Sequence, residues 1–144
     1  MKIFFLVVFF VSISALSFCQ ANDSTSIVQL LEKESATWRS GDTAAHAACW
    51  HIEPYSSILI MAPGDKTFSV PVETIIHPSP SMAGQGGVSK NSNYKMSIVG
   101  NSAIVMHNES STSKNGGESH TFEVRMLKKI NGEWKLTGQI IQVL

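Results

Sequence analysis

Residues 118–143 read ESHTFEVRMLKKI-NG-EWKLTGQIIQV. Asn131-Gly132 supplies the positive φ angles of a two-residue hairpin turn, and both flanks carry the β-branched and aromatic residues that strands favour. The reading is therefore two paired strands, Glu118–Ile130 and Glu133–Val143. Working outward, Lys114-Asn115-Gly116-Gly117 and Gly100-Asn101 are further turns. They bound strands Ser102–Ser111 and Asn93–Val99, which completes an antiparallel meander of four. A sheet of this kind must bury a face, and cover has to come from upstream.

The upstream chain changes period. Ile27, Leu30, Leu31, Glu34 and Trp38 recur at spacings of three and four, as on one stripe of an amphipathic helix. Ser24, Thr25 or Ser26 can cap it, and Gly41 ends it. Asp42 opens a second helix through Ala44–Ala48, which Pro54 stops. Tyr55–Met61 and Thr67–Val70 read as strands around a Pro63–Lys66 turn. Val72–His77 suits one or two helical turns. Ser79–Ser92 holds Gly84, Gly86 and Gly87 and reads as a mobile loop of the lid or rim kind.

The 144 residues carry 11 Lys+Arg and 11 Asp+Glu, with 43% hydrophobic and 15% charged residues. That length bounds the chain to one ordinary domain. Zero net charge argues against a phosphate-tracking nucleic-acid binder, and the apolar content argues against disorder. Met1-Lys2, the apolar run Ile3–Val11 and the small residues toward Ala21 form a secretory signal pattern, with cleavage before Asn22. The expectation is an exported protein, periplasmic or secreted, with a signal peptide over 1–21 and one domain over 22–144. A retained membrane anchor and a lipid-modified Cys19 are the alternatives. The first is short of the ~20 apolar residues of a span, and Phe18 stands where a lipoprotein signal has a small residue. The mature chain of 123 residues keeps only Cys49, so no internal disulfide forms. Between Ala48 and Trp50, that thiol reads as a small buried hydrophobe.

Trp38-Arg39-Ser40-Gly41-Asp42, Cys49-Trp50, Ile98–Val105 and Glu123–Leu136 follow one another in an order and spacing that resembles the NTF2-like superfamily, and within it the SnoaL-like branch of small bacterial proteins. The resemblance spans the mature chain. It implies an α+β, cone-shaped fold, with N-terminal helices packed on a curved, mainly antiparallel sheet around an apolar pocket. It also implies homodimers. Members include isomerases, dehydratases, polyketide cyclases and noncatalytic accessory domains, so the fold leaves function open. The steroid-isomerase branch places an acidic base near the end of the strand after the second helix. Here Ile58–Met61 holds no carboxylate, and the first helix lacks that branch's tyrosine.

Two-residue hairpins at Gly100-Asn101, Asn115-Gly116 and Asn131-Gly132 would set the faces of the meander. One face then holds Ile104, Met106, Asn108, Glu123, Arg125, Leu127, Trp134, Leu136, Gly138 and Ile140. The other holds Tyr94, Met96, Ile98, Ala103, Val105, His107, Glu109, His120, Phe122, Val124 and Met126. A bulge would exchange part of these sets. By resemblance the first face lines the pocket, with Asn108, Glu123 and Arg125 as its polar groups. The Glu123–Arg125 pair either orients a ligand carboxylate or carbonyl, or satisfies itself between strands. His107 with Glu109 reads as a base with an orienting carboxylate, or as polar groups at a dimer interface.

Trp38, His46, Trp50, Tyr55 and Trp134 complete the candidate pocket, with simple core packing as the alternative. No Gly-rich phosphate loop, G-x-S-x-G or H-E-x-x-H occurs, and the five histidines are scattered. No metal, cofactor or catalytic residue is expected. Asn108-Glu109-Ser110 matches a glycosylation sequon, relevant only in a eukaryotic secretory route. The functional expectation is a noncatalytic, exported domain that binds a small, mostly apolar ligand or acts as a dimeric accessory module. The dimer would form through the outer sheet face, and no stable membrane span would remain after signal removal. The alternative is a lyase, isomerase or cyclase using a histidine with Glu123 or Glu109 as acid–base groups.

Overall fold

The long apolar stripe ending in Trp38 forms helix α1, residues 22–40, in a computed structural model that describes residues 22–79 and 81–144. The leader assigned to 1–21 lies outside the described residues, as does Pro80. Gly41, at φ 75°, turns the chain out of α1. The Asp42 carboxylate then accepts from the Ala45 amide at 3.0 Å and caps α2, Thr43–Ala47. This helix is shorter than the sequence suggests and stops well before Pro54. Its continuation is taken by the sheet: His51 N–H donates to the Leu136 carbonyl and Leu136 N–H to that of Cys49, so Trp50 bridges to Leu136. Two backbone hydrogen bonds to a central strand displace one further helical turn.

The strands are β1 (Ile58–Ala62), β2 (Lys66–Val70), β3 (Val88–Val99), β4 (Ser102–Thr112), β5 (Glu118–Ile130) and β6 (Glu133–Val143). The short helix α3, Val72–Ile76, follows β2. The sheet order is β2-β1-β6-β5-β4-β3, antiparallel except for β1 beside β6. The helices cover one face, and Ile27, Leu31, Ile58, Val105, Leu127 and Leu136 meet there in the core. The result is the α+β, helix-on-sheet architecture that the resemblance implied. Among the described residues, no helix is long and apolar enough to cross a membrane.

Three details of register decide what enters the interior. First, β4 and β5 are joined by the five residues Ser113–Gly117, closed by Ser113 N–H to the Gly117 carbonyl at 2.8 Å. Asn115-Gly116 lies inside that loop and is not a two-residue hairpin. The pairing moves by one residue, and a one-residue slip turns every β4 side chain to the opposite face. His107 thus sits opposite Glu123, and Asn108 opposite Phe122. Second, β6 bulges at Thr137, since Leu127 pairs Leu136 while Met126 pairs Gly138. Gln139 and Ile141 therefore point inward, in place of Gly138 and Ile140. Third, β3 bulges at Asn93, at φ 58°, which keeps both Tyr94 and Asn91 on the inner side.

The loop after α3 is tied down. Gly84 and Gly86 donate their amides to the Trp38 and Arg39 carbonyls, both at 2.9 Å, and so satisfy the end of α1. Gly87, at φ 82°, passes so close to β4 that a Cβ would lie 1.8 Å from the Thr112 carbonyl oxygen. Only glycine fits there.

Candidate functional site

The inner face of the sheet, α1 and α3 enclose a cavity of about 280 Å³. One wall is apolar: Trp38 from α1, Ile75 from α3, Ile60 from β1, Ile141 from β6 and Met82 from the loop. The other carries charge. Glu34, Ser35 and Arg39 come from successive turns of α1, Glu109 from β4, Glu123 and Arg125 from β5, and Gln139 from β6. Ser111, Ser119 and Thr121 line the remainder.

Arg125 is the centre of the charged wall, and its side chain is 4% exposed. It contacts Glu34 at 3.4 Å, ion-pairs with Glu123 and donates to the Gln139 amide oxygen. Burial alone would lower its pKa, but Glu34, Glu123 and Glu109 outweigh that and raise it. A guanidinium so surrounded is permanently charged. Its planar fork suits two carboxylates at once. Glu123 also accepts from the Thr121 hydroxyl at 2.8 Å. Of the two readings of Glu123 with Arg125, the geometry gives the self-satisfied pair, extended by Glu34 into a triad.

Glu109 stands on the same charged wall. Ser35 donates to it at 2.8 Å, and Arg39 reaches it at 3.3 Å. Burial raises its pKa first, and the charge of Glu123 adds to this. Three carboxyl groups thus share one cavity, and Glu109 is pushed toward its neutral form.

The histidines lie outside this cavity among the described residues. His107 stands one layer behind, 3.6 Å from the Glu123 carboxylate and stacked on Tyr94 at 5.4 Å. Burial, helped by Arg125, lowers its pKa, so the ring is neutral. Tyr94 is held protonated by burial and by Glu32, to which it donates at 2.6 Å. His46 is enclosed by Trp38 and Trp50, with ring centroids at 5.2 and 6.4 Å. Its Nδ1 lies 3.4 Å from the Glu34 carbonyl oxygen.

Of the eight residues proposed from sequence, Trp38, Glu123 and Arg125 line the cavity. Asn108 does not, because the longer β4–β5 loop turns it to the outer face. Tyr55 is 61% exposed in the turn before β1, where Ser56 and Ser57 precede the first paired residue. Trp134 is buried but faces the start of α1, donating to Asp23 at 3.0 Å. His46 and Trp50 belong to the core behind Trp38. Sequence reasoning missed Glu34, Ser35, Arg39 and Gln139, and it placed Glu109, its alternative acid–base carboxylate, on the outer face. Glu34 carried a readable signal, since a carboxylate on the apolar stripe of α1 demands a buried partner. Gln139 did not, because only the bulge at Thr137 turns it inward. Among the described residues, no group of three or more His, Cys, Asp or Glu could hold a metal ion. Cys49 is buried, and burial raises its thiol pKa, so it is unreactive.

This cone, with its cavity between helices and curved sheet, is the NTF2-like fold. It matches a cystatin-like protein of unknown function from Nostoc punctiforme at TM-score 0.67 and 16% identity, covering 86% of this chain and 92% of that one. It matches an NTF2-like protein from Cytophaga hutchinsonii at TM-score 0.63 and 19% identity, covering 82% and 95%. A Streptomyces avermitilis protein, named for a proposed dehydratase activity in the NTF2-like family, matches at 0.66 and 14%, covering 86% and 97%. No protein-family model matches the sequence, and no curated protein matches it.

Proposed function

We propose that this chain is an exported, noncatalytic NTF2-like domain of the SnoaL-like kind that holds a small ligand with an apolar body in its cone pocket and works as a homodimer. The observation that carries the reading is the division of the cavity. One wall is apolar, and the charged groups of the other already engage one another, with no histidine reaching in among the described residues. Such a wall fixes and orients a ligand, whereas acid–base turnover needs a group free to exchange protons with it.

The dimer reading rests on the outer sheet face, where Ile104 is 51% and Met106 38% exposed. Phe122, Val124 and Met126 flank them on β5. An apolar sheet face of this kind is suited to a twin. Export rests on the leader pattern of residues 1–21.

Native mass spectrometry of the protein recovered from its exporting host tests all three parts. The expected species is a dimer of chains beginning at Asn22, carrying an extractable small molecule. A strict monomer without one would overturn the reading.

A lyase, isomerase or cyclase is the second reading, favoured by one observation: Glu109 and Glu123 share the cavity, and Glu109 is held toward its neutral form. Carboxyl groups driven apart in this way are suited to acid and base roles. The dehydratase name of the Streptomyces protein points the same way. Turnover that disappears in Glu109→Gln while ligand binding persists is the result expected of an enzyme.

A further inference from the structure

The ligand's chemistry can be read from what the charged wall lacks. Three carboxylates line the cavity against two guanidinium groups. Arg125 is shared between Glu34 and Glu123, and Arg39, at the rim and 21% exposed, stands at 3.3 Å from Glu109. Neither neighbouring histidine lines the cavity: burial lowers the pKa of His107, and His46 Nδ1 lies 3.8 Å from the Glu34 carboxylate on the core side. By formal charge the lining is therefore one positive charge short; burial and Glu123 push Glu109 toward its neutral form, and a cation beside it would favour the ionised form.

It is also short of donors. Three carboxylates offer roughly twelve lone-pair positions. The side-chain groups that fill them are the Ser35 and Thr121 hydroxyls, Arg39 and Arg125. Glu123 Oε2 is buried against Arg125, with the neutral His107 ring 3.6 Å away. An anionic ligand would meet these carboxylates, and the guanidinium that could receive it is already enclosed by them. The apolar wall opposite, with Trp38 able to face a cation, completes the complement.

We propose that the pocket takes a small organic monocation, a protonated amine on an apolar body. Its ammonium group sits among Glu109, Glu123 and Glu34, and its body lies against Trp38, Ile60 and Ile141. This rests on reading the cavity as a ligand pocket. The volume is near the lower bound of small-molecule sites, roughly 300 Å³, so the body is a single ring or a short branched chain.

Three probes of one shape test the charge: phenethylamine, phenethyl alcohol and phenylacetate, titrated calorimetrically into the exported protein at neutral pH. The amine should bind at least about tenfold more tightly than the alcohol, because its hydrogen bonds to carboxylates are charge-assisted. Phenylacetate should be the weakest. Glu109→Gln, close to isosteric, should cost the amine about tenfold and the alcohol less, so that the preference for the amine narrows. The wild-type comparison stands even if that variant fails to fold. Alcohol or phenylacetate binding as tightly as the amine overturns the cation and leaves the pocket. Binding of none of the three overturns both.

Discussion

Arg125→Met isolates the buried triad. Methionine keeps much of the unbranched stem that Arg125 buries, so little cavity is created. What is lost is the positive charge between Glu34 at 3.4 Å and Glu123, together with the donor to Gln139. Removing one partner of a buried pair costs about 3–5 kcal/mol, because the other charge is left uncompensated. Here two carboxylates lose the same partner, which places the loss in the upper part of that range, about 4–5 kcal/mol. For a domain of this size that corresponds to a fall in Tm of roughly 15 °C. Urea unfolding followed by the fluorescence of Trp38, Trp50 and Trp134 measures it through the shift in midpoint. Adding Glu34→Gln and Glu123→Gln to Arg125→Met removes the stranded charges and should recover most of the loss. A single variant that loses less than about 1 kcal/mol, the worth of an exposed pair, would refute the reasoning. So would a triple variant no more stable than the single one.

Gly87→Ala forces a Cβ against the Thr112 carbonyl at a positive φ, so a loss above about 2 kcal/mol is expected by the same unfolding assay. Glu109 gives a pH signature. Its pKa is raised in the folded chain by burial and by Glu123, so the folded state binds more protons there. Its contribution to stability is fully present below its ordinary value of 4.5 and declines as pH rises through the folded value. Glu109→Gln removes that decline, so unfolding midpoints measured across pH should move in the variant's favour as pH rises. Ile104→Lys, half exposed on the outer face, should turn the proposed dimer into a folded monomer, seen by light scattering with an unchanged circular dichroism spectrum.

Strands β5 and β6 were readable to the residue, because Asn131-Gly132 forms the turn its chemistry favours. The same dipeptide at Asn115-Gly116 misled, because Ser113 and Gly117 close a wider loop around it. That one residue put Asn108 into the expected pocket in place of Glu109. The half of the site on β5 was legible, since Glu123 and Arg125 alternate with Val124 as the pleat requires. The half on α1 was visible only as an anomaly, with Glu34 among apolar residues. Arg39 and Ser35 gave no pattern, because a helix shows its partners only when the opposing strand's face is known. The short α2 was hidden for a related reason: its alanines favour helix, but pairing of Cys49 and His51 with Leu136 is a long-range contact that local propensity does not contain.

Strand β6, the last in sequence order among the described residues, sits between β1 and β5, where its edges accept partners on both sides. The sheet therefore has no centre until β6 is in place. A product stalled or cut before Glu133 leaves β1 and β2 as a detached hairpin and exposes the pairing edge of β5. Such a fragment would be open to proteases and to other chains. Folding therefore waits on the long-range pairing of β1 with β6.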